Sequence, residues 1–242
     1  KSYLTVAIAM CGMLVFSVAT AAPKMMFMGK DGVAETGKFI VRDEMGNGTN
    51  GALLGVPIPA EEKFVKAAAS AKVRITDDKF IVTVECPLPT GMTPVKDPKD
   101  AWAGDALEVF LQQEPMGQNY FYYAVNYAGK IHTALYHNAV SVNGYNGECS
   151  PVVTDFPGGF RYTLTMPLKK TFPKGVPKAG DQFALQICRT GPTACAAKTQ
   201  SWMPVGTTFH DPTTFGRVFL GSAAEYAARE KAYRDQVAAR VA

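Results

Sequence analysis

No apolar run in the 242 residues is long enough to cross a bilayer, since the longest near the N-terminus, residues 3–16, falls short of a membrane span. Charge of one sign is scarce too. The net charge is only +4 and the basic residues are scattered, which removes the electrostatic case for nucleic acid or an anionic membrane. No two cysteines have C-x-x-C spacing, so a sulfur-bound zinc site is not indicated. G-x-S-x-G, H-E-x-x-H and a glycine-rich phosphate loop are all missing, and with them the common signatures of hydrolases, metallopeptidases and nucleotide enzymes. Tryptophan occurs only twice, as Trp102 and Trp202, and histidine three times.

What is present begins with a leader. Lys1, the apolar run and then Ala19 and Ala21 at A-x-A spacing predict a signal peptide over residues 1–21, cleaved after Ala21. The expected product is exported, periplasmic or extracellular, with no integral membrane span after cleavage. Met10 before Cys11 stands where a lipoprotein signal requires a small residue. Four cysteines remain in the exported part, Cys86, Cys149, Cys188 and Cys195. An oxidising compartment allows disulfides, and burial in alternating apolar runs suits free thiols equally, so their state stays open at this level.

Residues 71–220 alternate apolar and polar positions between Gly, Pro, Asn and Asp punctuation. This predicts strands at 72–76, 80–86, 106–112, 120–127, 131–136, 152–155, 160–167, 182–189, 199–202 and 216–220. The fold class expected is all-β, an antiparallel β-sandwich. Asp77-Asp78 and Gly158-Gly159 supply hairpin turns. Residues 22–59 read as a mature N-terminal segment with one or two edge strands, one of them near 38–42. Residues 60–221 read as the sandwich. Residues 222–242 contain neither Gly nor Pro and predict a C-terminal α-helix with Tyr226, Tyr233, Val237 and Val241 along one side.

In strand 106–112, Leu107, Val109 and Leu111 share one face and Glu108 and Phe110 the other, so a carboxylate lies opposite the aliphatic stripe. Both tryptophans lie in polar, turn-like surroundings, which favours display. Flat rings suit the C–H faces of sugars, and carboxylates or amides suit their hydroxyls. Asp105 and Glu108 make the one tempting glycosidase pair, but three residues apart in extended chain they point to opposite faces.

The motifs A-W-A-G-D-A-L-E-V-F-L (101–111), Y-A-V-N-Y-A-G (123–129), G-F-R-Y (159–162), M-P-L (166–168), F-A-L-Q-I-C-R (183–189), S-W (201–202) and F-H-D-P-T-T-F-G-R (209–217) occur in that order. As a set they resemble the family 9 carbohydrate-binding modules and their DOMON-like relatives, over roughly residues 60–221. The resemblance implies a non-catalytic module in which Trp102 and Trp202 clamp a sugar and Glu108 bonds its hydroxyls. Asn126 and Gln200 join that set, Asn126 bonding either the sugar or a loop. Ala124 departs from the pattern, since sugar-binding members carry an arginine there. The resemblance also implies association with a glycoside hydrolase or surface protein, and structural calcium near the aspartates of residues 97–105.

Three rival readings stand beside it. The tryptophans could cap the ends of the sandwich, with Glu108 bonded to loop amides. The protein could be a cell-surface scaffold that has lost sugar binding. DOMON-like relatives that hold a b-type haem suggest an electron carrier using His132 with Met92, Met116 or Met203.

Overall fold

Period-two alternation produces the strands. The computed structural model describes residues 25–42, 61–115, 117–138, 140–142, 145, 147–194, 199–205 and 208–241. The leader expected at 1–21 lies outside them. In chain order the elements are β1 (Met25–Met28), β2 (Val33–Lys38), β3 (Ile40–Arg42), α1 (Glu62–Lys66), β4 (Ser70–Ile75), β5 (Lys79–Pro87), β6 (Ala106–Gln112), β7 (Asn119–Asn126), β8 (Ile131–His137) and β9 (Val140–Ser141). They continue with β10 (Ser150–Phe156), β11 (Gly159–Pro167), α2 (Leu168–Thr171), β12 (Gln182–Thr190), β13 (Thr199–Ser201), β14 (Gly216–Leu220) and α3 (Ala223–Val241).

Two sheets form the sandwich. The smaller runs β10-β11-β5-β4-β2, and the larger runs β1-β14-β12-β6-β7-β8-β9, with β13 on β12 and β3 on β13. All pairings are antiparallel except β1 with β14. The described part of the N-terminal segment therefore supplies strands to both sheets. In β5, Phe80, Val82, Val84 and Cys86 point inward, and in β11 Phe160, Tyr162, Leu164 and Met166 do the same. They meet Leu107, Val109, Leu111, Tyr123, Val125, Phe183, Leu185 and Ile187 of the larger sheet. Each such buried side chain contributes about 1.5–3 kcal/mol through removal of apolar surface from water. The β10–β11 hairpin turns through Gly158, whose φ of 81° only glycine adopts freely.

The outer face of the larger sheet is covered as well. Phe110, Tyr120, Tyr122 and Ala124 pack under Ala101, Val205 and Phe215, which is why every residue of β6 is buried. Cys86 lies in the inter-sheet core and Cys188 on this outer face; with Cys149 they are free thiols, and Cys195 lies outside the described residues.

The C-terminal helix forms as its composition predicts. Ser222 and Glu225 cap it reciprocally: the Glu225 amide donates to Ser222 Oγ at 3.2 Å and the Ser222 amide to Glu225 Oε2 at 2.6 Å. Of the expected stripe, Tyr226 packs edge-on against Phe27 and Phe219, whereas Tyr233 is exposed; the side chains of Val237 and Val241 lie outside the described set. No described helix is long and apolar enough to cross a membrane.

Candidate functional site

On the outer face of the larger sheet, strand register sets Cys188, Glu108, Ala124 and His132 in one row across β12, β6, β7 and β8. Strands are spaced about 4.8 Å apart, so the backbone positions of Glu108 and His132 stand roughly 10 Å apart with only the Ala124 methyl between them. Glu108 and His132 both line a cleft of about 930 Å³. Trp102, Glu108, Tyr122, His132, Tyr136 and His210 are among its lining residues.

Trp102 is 50% exposed, with its ring edge-on to His132 at a centroid distance of 5.4 Å. The preceding residue explains that display. Ala101 is buried in the outer-face cluster, which anchors the chain and leaves the next side chain pointing outward. Asn126 holds the same loop, donating from Nδ2 to the carbonyls of Asp97 at 2.5 Å and Asp100 at 2.7 Å while Oδ1 accepts from the Lys130 amide. Asp105 holds its far end, accepting from the Val95 amide at 2.7 Å and from Thr193 Oγ1 at 2.5 Å. Asn126→Ala is therefore expected to cost about 1–3 kcal/mol, because two carbonyls lose their donor. A thermal melt would show the loss, and amide hydrogen exchange should speed up within residues 97–105.

Glu108 is 7% exposed and its Oε2 accepts a 2.8 Å hydrogen bond from the Tyr122 hydroxyl. Burial pushes its carboxyl up from 4.5 to about 7, and the Tyr122 bond only partly opposes this. Burial also lowers the pKa of His210, favouring the neutral ring, whose Nδ1 lies 3.0 Å from the Tyr120 hydroxyl. The cleft thus combines aromatic faces, a neutral imidazole and a carboxyl group near its titration midpoint at neutral pH.

The remaining expected site residues are placed elsewhere. Trp202 is 1% exposed and belongs to the inter-sheet core, so it does not face Trp102 across a ligand. The cause is local. β13 and β14 share one edge of β12 in succession, and the Trp202 amide donates to the Ile187 carbonyl at 2.9 Å just past the end of β13. Its ring then fills the break between the two strands. Gly216 leaves room for it, since a Cβ there would lie 2.6 Å from Trp202 Cη2. Gln200 is also buried, accepting from the Ala69 amide at 2.8 Å and donating to the Ala194 carbonyl at 2.5 Å, so it joins loops and does not reach the cleft. Asn126, as described, holds a loop.

Tyr122, Tyr136 and His210 were not among the site residues chosen from sequence, and His132 was raised there only as a haem ligand. Tyr122 had a usable signal, because on β7 it shares a face with Ala124 and so lies diagonally across from Glu108. His210 comes from a segment whose approach depends on tertiary packing.

Of the loop aspartates, Asp105 accepts from the Val95 amide and Thr193, and Asp97 accepts from the Lys99 amide; no three His, Cys, Asp or Glu side chains converge among the described residues. Met203 is packed in the inter-sheet core, Met92 does not line the cleft beside His132, and Met116 lies outside the described residues.

No protein-family model and no curated protein matches the sequence. Solved structures do. A family 9 carbohydrate-binding module from Caldicellulosiruptor kristjanssonii in complex with cellotriose superimposes with a TM-score of 0.52 at 16% identity, over 82% of this chain and 94% of that one. A candidate carbohydrate-binding protein from Bacteroides uniformis gives a TM-score of 0.50 at 16% identity, over 66% of this chain and 82% of that one. The chain has the β-sandwich fold of the family 9 carbohydrate-binding modules.

Proposed function

We propose that this protein is an exported, non-catalytic carbohydrate-binding module whose ligand lies against Trp102 with its hydroxyls directed to Glu108 and Tyr122. The observation that carries the reading is a half-exposed tryptophan on a cleft of about 930 Å³ that a buried carboxyl group also lines. The fold shared with a module seen in complex with cellotriose supports it. In place of two tryptophans, the aromatic surface is one tryptophan with Tyr122, Tyr136 and the imidazoles of His132 and His210. Export rests on the leader at residues 1–21.

Binding without turnover is the reading the side chains favour. A glycosidase places two carboxyl groups on one bond. Asp105 is buried under Thr193 and Val95, and Asp97, the other carboxylate of the cleft, accepts the Lys99 amide at 2.8 Å in a local turn. The test is calorimetric titration against a panel of neutral oligosaccharides that includes cellotriose. Trp102→Ala should weaken binding about tenfold or more, as expected for loss of an aromatic platform. Failure of the whole panel to bind would overturn the proposal, and so would release of shorter sugars during prolonged incubation.

A further inference from the structure

Among the described residues, the cleft holds a carboxylate with no cation beside it. Glu108 is more than nine-tenths buried, and the Tyr122 hydroxyl is its hydrogen-bond donor among the described residues. The groups that approach it from each packed element are Tyr122 of β7, His132 and Tyr136 of β8, Cys188 of β12, His210, and Asp97 of the Trp102 loop. No lysine or arginine lines the cleft among the described residues. Buried carboxylates are ordinarily paired with a cation or neutralised, because an uncompensated buried charge is costly. At the position beside Glu108 on the next strand stands Ala124, which carries no charge. Trp102, Tyr122 and Tyr136 line the same cleft, and aromatic rings attract cations.

We infer that the missing cation is supplied by the ligand, and that the cleft selects sugars carrying a free amino group, as in glucosamine-containing chains, with the ammonium paired to Glu108. This rests on the carbohydrate reading above and names the ligand class for the same site. The ionisation behaviour of Glu108 agrees with it. With its carboxyl titrating at about 7 in the empty cleft, an amine can take up that proton and leave an ammonium–carboxylate pair.

Three trisaccharides with one β-1,4 backbone separate the possibilities. They are cellotriose, the fully deacetylated glucosamine trimer, and its N-acetylated counterpart, which differ only at C2. Calorimetry at pH 7 should show the glucosamine trimer binding about tenfold or more tighter than cellotriose, as a charge-assisted hydrogen bond predicts. Glu108→Gln should bring the affinities for the glucosamine trimer and cellotriose together, the ratio of the two being the readout whatever the variant does to either one. Equal binding of cellotriose and the glucosamine trimer by the wild-type protein would overturn this inference and leave the carbohydrate reading standing. Tighter binding of the N-acetylated trimer than of the amine would overturn it as well. If none of the three binds and the wider neutral panel is also silent, both readings fall.

Discussion

Replacing Trp202 with alanine is expected to lower the melting temperature by about 10 °C, from a loss of about 3–5 kcal/mol in a domain of this size. The ring is 1% exposed, lies in the inter-sheet core, and fills the break where β13 gives way to β14 on the edge of β12. Alanine would leave a cavity that the two strand ends cannot close without abandoning their register. Trp102→Ala is the matched control. Its ring is half exposed, so stability should change by no more than about 0.5 kcal/mol while ligand binding suffers. Differential scanning calorimetry of the two variants separates a core tryptophan from a binding tryptophan. If Trp202→Ala melted with the wild type, its place in the core would be refuted.

The contrast between the two tryptophans marks how far the sequence could be read. Strand positions followed from period-two alternation, which is a local property, and so β4 through β14 fall close to the expected ranges apart from the short β9. The ordered motifs carried the sandwich class, and the face assignment of Glu108 opposite Leu107, Val109 and Leu111 held because the pleat admits no other arrangement. Polar neighbours misled at Trp202. Thr199, Gln200 and Ser201 are all polar, which favoured display of the tryptophan that follows, yet all three are buried because β13 is enclosed between β12 and β3. The placing of Gln200, and the choice between sugar and loop left open at Asn126, meet a related limit. An amide side chain serves a ligand or a backbone equally well, and only the fold shows that Ala69, Ala194, Asp97 and Asp100 come within reach. The strands β1 and β2 lie in a segment where Gly and Met obscure the alternation, and their partners β14 and β4 are remote in sequence.

Glu108→Gln is expected to stabilise the ligand-free protein at pH 8 by about 3 kcal/mol and to change little at pH 4 or below. The sign follows from proton counts. Burial raises the carboxyl from 4.5 to about 7, so between those values the folded protein keeps a proton that the unfolded chain has already released. Stability therefore falls as pH rises through that window, and above about 7 the full cost of a buried charge is present. Glutamine keeps an oxygen to accept the Tyr122 hydroxyl and carries no charge, so it leaves the bond and removes the pH dependence. Comparing melting temperatures of the two proteins across the range cancels every other titrating group, and the gap should open to roughly 5–10 °C by pH 8. A gap that stays constant with pH would mean that the protein already supplies Glu108 with a cation. In that case the row of Cys188, Glu108, Ala124 and His132 would give an amine no advantage over a hydroxyl.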